Sequence, residues 1–188
     1  SKLIIMSVLL VTVAIGKQFL SVYNCLFRKS QENYASEHKY DFLIVKDYLD
    51  PDHKDHHIAT YFQKLLLCSQ PWSSKYDYII FVDSDILIRP NTPALSNAYQ
   101  FGKRLGIVDE YSQPSKERRI EIQKMMGWEE SAADYYKLSG FELDTEMVLN
   151  SGLLVMQPKY HRDFLEHIYN KYVTQSLNHP RMAHYEQS

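Results

Sequence analysis

The chain has 188 residues, of which 45% are hydrophobic and 13% aromatic, with a formal charge of −2. That length suits one domain, and that much apolar mass buries a real core, which excludes disorder. The near balance of 21 basic against 23 acidic residues excludes the broad basic surface of a nucleic-acid binder, and two cysteines, Cys25 and Cys68, exclude a disulfide framework or a cysteine-rich zinc site.

Leu3 to Ile15 is apolar except for Ser7 and Thr12. A membrane span needs roughly 20 such residues, and no small-residue cleavage site follows, so neither a transmembrane segment nor a signal peptide is expected. The β-branched Ile4, Ile5, Val8, Val11, Thr12 and Val13 favour a buried strand. No Asn-x-Ser/Thr acceptor occurs, so a cytoplasmic location is expected, with the Golgi lumen as the alternative. Gln18 to His38 reads as one amphipathic helix, with Phe19, Val22, Tyr23, Leu26, Phe27 and Tyr34 at helical spacing. Asp41 to Val45 is a second strand, ending at Lys46-Asp47. A polar loop, Asp50 to His57, precedes a helix with Ile58, Tyr61, Phe62, Leu65 and Leu66 on one face. Tyr78 to Val82 is the third strand, with Asp83-Ser84-Asp85 at its carboxyl end. Further on come a short strand, Leu105 to Asp109, a charged helix, Ser115 to Met126, and an apolar strand, Leu149 to Met156. A last helix, Tyr160 to Tyr172, is expected to face inward through Phe164, Leu165, Ile168, Tyr169 and Tyr172. The chain stops at Glu186-Gln187-Ser188 in what reads as the start of another helix, and the native protein is expected to continue past it.

This alternation implies an α/β fold, a largely parallel sheet covered by helices on both faces. Ligands of such sheets bind beyond the carboxyl ends of the strands. Three strand ends therefore define a crevice: Thr12 to Gly16, Lys46-Asp47 and Asp83 to Asp85.

Two acids two residues apart are common, but Asp83 and Asp85 interrupt a hydrophobic stretch, where uncompensated carboxylates are costly. On a strand they would share one side, with Ser84 turned away. Paired oxygen ligands suit Mg²⁺ or Mn²⁺, which keep positions open for phosphate oxygens. The alternative is a solvated turn or a helix N-cap. Asp52, His53, Asp55, His56 and His57 lack a regular ligand spacing and read as a solvated loop; Lys116 to Arg119 reads as an exposed helix face. Trp72 and Trp128 could stack on sugars, although Trp72 suits the core better.

Tyr76 to Ile88 resembles the metal-binding segment of the GT-A-fold, nucleotide-sugar-dependent glycosyltransferases, and other stretches agree with it in order. Val11 to Gly16 is similar to their first strand, whose end (Thr12, Val13, Ala14) would contact the nucleoside. Tyr61 to Leu66 is similar to the helix whose basic residue, here Lys64, reaches the phosphates. Leu149 to Met156 resembles the Asn-Ala/Ser-Gly strand lining the sugar, with Asn150 and Ser151. His184 to Ser188 is similar to the Asp-Gln segment of retaining enzymes of the glycogenin and lipopolysaccharide-galactosyltransferase type. Tyr40-Asp-Phe42 resembles the fungal and plant α-glycosyltransferases, and a large-DNA-virus glycosyltransferase domain is one candidate within the group. The resemblance implies a single GT-A (Rossmann-like) domain over residues 1–188, with a nucleotide-binding half at 1–90 and an acceptor and sugar half at 91–188. It implies a metal held by Asp83 and Asp85, and a UDP-sugar donor contacted also by Lys46, Asp47 and Ser84. It also implies transfer of a hexose to a carbohydrate or other hydroxyl, with retention. Gln187, Glu186 and Asp109 are then the candidates at the anomeric face, with Asp144 and Glu146 as further acids. Two departures stand out. Glu186 replaces the usual Asp, and the family's third metal ligand, a histidine, would lie beyond Ser188 unless His184 substitutes. A nucleotidyltransferase would share the layout but usually carries a glycine-rich loop, where this chain has only Gly16. A non-catalytic nucleotide- or sugar-binding module is the remaining alternative.

Overall fold

The computed structural model describes residues 6–54, 56–127 and 131–178, with backbone only at 177 and 178. Glu186, Gln187, His184, Trp128, Asp55 and the first residues of the opening apolar run lie outside that description. Among the described residues a five-stranded sheet has the order β2-β1-β3-β5-β4. The strands are β1 (Val8–Val13), β2 (Asp41–Val45), β3 (Tyr78–Val82), β4 (Gly106–Asp109) and β5 (Leu149–Met156). β1 runs parallel to β2 and β3, whereas β5 is antiparallel to both β3 and β4. The sheet is therefore mixed, with β5 alone reversed. Its helices are α1 (Lys17–Leu26), α2 (Arg28–Glu37), α3 (His57–Phe62), α4 (Leu95–Ala98), α5 (Lys116–Met126), α6 (Ala132–Leu138) and α7 (Pro158–Asn178).

Alternation along the strands divides the core between two faces. Leu9, Val11, Ile79, Phe81, Leu154 and Met156 pack under α3, the 3-10 turn Gln63–Ser69 and α7. Val8, Leu10, Ile80, Val82 and Val155 pack under α2 through Tyr34 and Ala35. A separate small cluster, Ala132, Tyr135, Tyr136 and Val148, supports the helices between β4 and β5.

Three local differences from the sequence expectation have physical causes. The long helix breaks at Phe27 (φ −114°), whose carbonyl accepts from Ser30 Oγ at 2.8 Å, so α1 and α2 are two helices rather than one. α2 buries Gln31, Tyr34 and Ala35, while α1 buries only Tyr23 and leaves Phe19 72% exposed, with Val22 and Leu26 also exposed. The helix at Ile58 tightens to 3-10 geometry after Phe62, which turns Lys64 inward and leaves Tyr61 outside. In α7, Leu165 and Tyr169 are buried as expected, but Phe164 is exposed. Gly16 starts α1 at φ +95°, a left-handed conformation that lets the chain turn sharply out of β1. No helix among the described residues is long and apolar enough to cross a membrane.

Candidate active site

β3 ends at Val82, and the next residues form a turn closed by Ile86 N–H donating to Asp83 O at 3.2 Å. Asp83 and Asp85 therefore do not share a strand face. The turn brings them to one side instead, and both line a hollow of about 390 Å³ at the carboxyl ends of β1 and β3. Gln31, fully buried on α2, holds this turn by donating from Nε2 to Asp83 O (3.2 Å) and Ile86 O (3.0 Å). A glutamine in a polar helix gives no sequence signal for that task, and its partners are some fifty residues away (separations of 52 and 55).

The same hollow is lined by Val13, Ala14, Ile15, Phe19, His57, Thr60, Tyr61, Lys64, Phe81 and Ser84. Lys64 is 4% exposed, so it is not a surface lysine. Its Nζ donates to Ser151 O (3.3 Å) and Ser151 Oγ (3.1 Å), lies 5.0 Å over the Phe81 ring and stands 3.6 Å from Asp83 Oδ1. A buried ammonium needs such partners, because desolvation strongly disfavours an uncompensated charge. Asp83 remains 38% exposed at its side chain and Asp85 is exposed, so both carboxylates can reach a ligand in the hollow.

On the other flank, Gly152 accepts from Asp83 N–H at 2.8 Å through its carbonyl, and its own N–H donates to Asn150 Oδ1 at 2.8 Å. A Cβ at Gly152 would fall 2.8 Å from Asp83 Oδ2 and 2.9 Å from Asn150 Oδ1. Only a glycine leaves both side chains where they are. Asn150 Nδ2 donates to Glu110 Oε2 at 3.0 Å, and Glu110 Oε1 accepts from Arg119 on α5.

The remaining sequence candidates are placed as follows. Thr12 is fully buried and does not line the hollow; its Oγ1 has no hydrogen-bond partner among the described residues. Lys46 and Asp47 are exposed at the end of β2, with Asp47 Oδ1 accepting from Tyr48 N–H. Asp109 Oδ1 accepts from Tyr111 N–H at 3.1 Å, capping the 3-10 turn Glu110–Ser112, and Asp109 lines a different hollow, with Leu95 and Phe101. Asp144 and Glu146 are exposed, and Glu146 pairs with Lys116 at 3.1 Å. Trp72 packs half-buried against the first core face. In the polar loop, His53 is tied to Asp50 (2.7 Å) rather than solvated, and His57 reaches the hollow with His56 stacked on it.

Two adjacent carboxylates with open space beside them suit a hard divalent cation that keeps other ligands. Among the described residues no group of three His, Cys, Asp or Glu side chains could hold a metal. Asp83 and Asp85 are the two residues that could contribute ligands to such a cation here. With the Lys64 ammonium counted, the two carboxylates leave one negative charge over in the pocket.

No protein-family model matches the chain, and no curated protein sequence matches it. Solved structures do match in shape. A glycosyltransferase involved in the glycosylation of the major capsid of PBCV-1 superposes at a TM-score of 0.57 with 12% identity, covering 95% of this chain and 79% of that one. The bifunctional glycosyltransferase WbbM, in its apo structure, superposes at 0.51 with 12% identity, covering 90% of this chain and 34% of that one. The chain spans about a third of WbbM. At these identities the likeness is one of fold: this chain has the GT-A-like α/β fold expected of it.

Proposed function

We propose that this chain is a metal-dependent glycosyltransferase that moves a hexose from a UDP-sugar to a hydroxyl of a carbohydrate or other acceptor, with retention of configuration. One observation carries the reading: the Asp83–Asp85 turn, held by Gln31 at the carboxyl end of β3, faces a hollow that also receives the buried Lys64. The likeness in fold to the two glycosyltransferases supports it. Retention rests on the resemblance of residues 184–188 to the retaining enzymes.

Breaking a glycosyl–diphosphate bond places negative charge on the departing diphosphate, and stabilising that charge is the main electrostatic task. A divalent cation bound by Asp83 and Asp85 supplies Lewis-acid stabilisation of those phosphate oxygens. Lys64 adds a fixed positive charge at the floor of the hollow, pre-oriented by Ser151 and Phe81. Phe19, Tyr61 and His57 give the outer wall flat rings suited to a nucleobase. Asn150, tied to Gly152 N–H and to Glu110, stands behind Asp83 on the flank where the sugar would lie.

Calorimetric titration of UDP with and without Mn²⁺, on wild type and on Asp85→Asn, tests this. Binding is expected only with the metal and only in the wild type, raising stability by about 2.7 kcal/mol at a hundredfold excess over Kd. Absence of binding by UDP, GDP and other nucleoside diphosphates to the folded wild type overturns the reading. Where transfer is seen, the anomeric configuration of the product by NMR settles retention.

A further inference from the structure

A line of polar contacts runs from α5 to Asp83 and ends at the site without touching the hollow at its far end. Arg119 on α5 pairs with Glu110 Oε1, both side chains being mostly enclosed at 13% and 21% exposure. The Arg119 guanidinium lies 5.4 Å over the Tyr111 ring. Glu110 Oε2 accepts from Asn150 Nδ2 at 3.0 Å, which leaves Asn150 Oδ1 to accept from Gly152 N–H at 2.8 Å. Gly152 O in turn accepts from Asp83 N–H at 2.8 Å. Each amide or carboxylate group in the line thus has one partner toward the helix and one toward the site.

We infer that Glu110, held by Arg119, is a positioning residue for Asn150, and through it for the Asp83 side of the site; the inference rests on the proposed function above. The geometry explains why a carboxylate stands here. An Asn side chain can present either its amide nitrogen or its oxygen, and the two choices differ in what meets Gly152 N–H. A negatively charged acceptor on one side fixes the nitrogen toward Glu110 and so the oxygen toward Gly152. Arg119 fixes the carboxylate in turn, through a charged pair sheltered from water, where such bonds are strongest. Asp109, one residue earlier, does not share this task, because its carboxylate caps the turn at Tyr111 N–H. The polar line also gives the region between β4 and β5 a hold on the metal-binding turn that its small apolar cluster does not supply. Partners of this outer kind typically change activity or metal affinity by about 10–100-fold when removed.

The test compares wild type, Glu110→Gln, Arg119→Met and Arg119→Lys, each first shown to be folded by its thermal midpoint. Two readouts are taken on the folded fraction. One is UDP binding in the presence of Mn²⁺. The other is release of nucleoside diphosphate from UDP-glucose, UDP-galactose, UDP-xylose or GDP-mannose with water as acceptor. A positioning role is expected to lower kcat by about tenfold or more in Glu110→Gln and Arg119→Met. KM and Mn²⁺-dependent UDP affinity should change less than about threefold, and Arg119→Lys should recover part of the loss. Equal losses in Arg119→Lys and Arg119→Met, an unchanged kcat in Glu110→Gln, or losses of turnover and binding in proportion to unfolding each overturn the inference alone. A folded wild type that neither binds UDP with Mn²⁺ nor turns over any of these donors overturns the proposed function, and the inference with it.

Discussion

The strands β1, β2 and β3 and the segment from β4 through α5 and α6 to β5 build opposite sides of one site by different means. The first region is a parallel platform whose apolar residues alternate onto two covered faces. The second is an excursion that returns antiparallel to β3; its helices rest on a small cluster around Tyr135, Tyr136 and Val148, while β5 itself joins both faces of the main core. Ile120, Met125 and Met126 of α5 stay exposed, whereas the central strands of the first region are almost wholly buried. The carboxylates stand in the turn after β3, on the platform. Asn150 and Glu110, which connect to Asp83 through Gly152, come from the second region. The candidate site is thus approached from two parts of the fold that are supported differently.

The largest expected effect separates the two supports directly. Phe62→Ala opens the first core face beneath α3 and α7 and should cost about 3–5 kcal/mol, lowering the midpoint of the whole transition by roughly 6–20 °C. Tyr136→Ala removes a buried ring and its acceptance of Leu149 N–H, yet acts on the smaller cluster. Hydrogen exchange should then show fast amides in α5 and α6 while β1 and β3 stay protected. Equal, global loss of protection in both variants would mean that the two regions fold as one unit.

Next in size is Gly152→Ala, which acts at the junction itself. The new methyl would fall within 3 Å of Asp83 Oδ2 and Asn150 Oδ1 (2.8 and 2.9 Å), so one of them must move. Mn²⁺-dependent UDP affinity should fall by about 10–100-fold with the midpoint nearly unchanged. Retained affinity would show that neither displaced group matters to the donor.

Much of this was legible in the sequence, and the rest was hidden for identifiable reasons. All five strands can be placed from apolar runs and their breaks, most plainly the central β1 and β3, whose burial on both faces leaves a continuous apolar signal. The Asp83–Asp85 pair stands out because charge inside such a run needs an explanation. The turn that replaces strand geometry there is not legible, since it depends on Gln31, whose partners are distant carbonyls. α1 misleads for a related reason: periodicity reports that Phe19, Val22 and Leu26 share a face but not whether anything covers it. The site acids show the same limit. Asp109 and Glu110 are adjacent at the end of β4, and only the fold reveals that the first caps a turn while the second reaches Asn150.

Lys64 tests whether the platform contributes charge or only shape. In Lys64→Met an apolar side chain of similar length is kept and the ammonium over the Phe81 ring is lost. Asp83 stays 38% exposed and can be hydrated, so stability should change little, within about 1 kcal/mol. UDP affinity with Mn²⁺ should fall by about tenfold, or about 1.4 kcal/mol. A large loss of stability with affinity unchanged would instead make Lys64 a structural partner of Ser151.

The smallest effects are those of pH, and they too fall on the platform. Burial pushes Tyr23 and Tyr34 up to about 12 from an ordinary value of 10.0, against a lowering by Arg28 at Tyr23 and by the Leu95 N–H at Tyr34. Burial alone raises Cys68 from 9.0 to about 12. All three are favoured in their neutral forms when folded. Their contribution is therefore complete below the unfolded values, near 9 to 10, and is lost as pH rises toward 12. Asp50 moves the other way. Burial would raise it, but donation from Tyr169 OH, His53 and Asp52 N–H holds it below the usual carboxylate range. Its contribution is present above about pH 4 and lost as pH falls through the lowered value. Thermal midpoints should therefore be flat through neutrality, fall at both ends, and fall later on the alkaline side in Tyr34→Phe and Cys68→Ala, which remove the titrating groups. In α5 and α6 the lowered acids, Glu117 and Asp134, stand fully in solvent at helix starts. The exchange rates of α5 and α6 should accordingly follow ordinary base catalysis from neutrality until the platform itself opens. An alkaline loosening of those helices before β1 and β3 would mean that the segment between β4 and β5 opens independently of the platform.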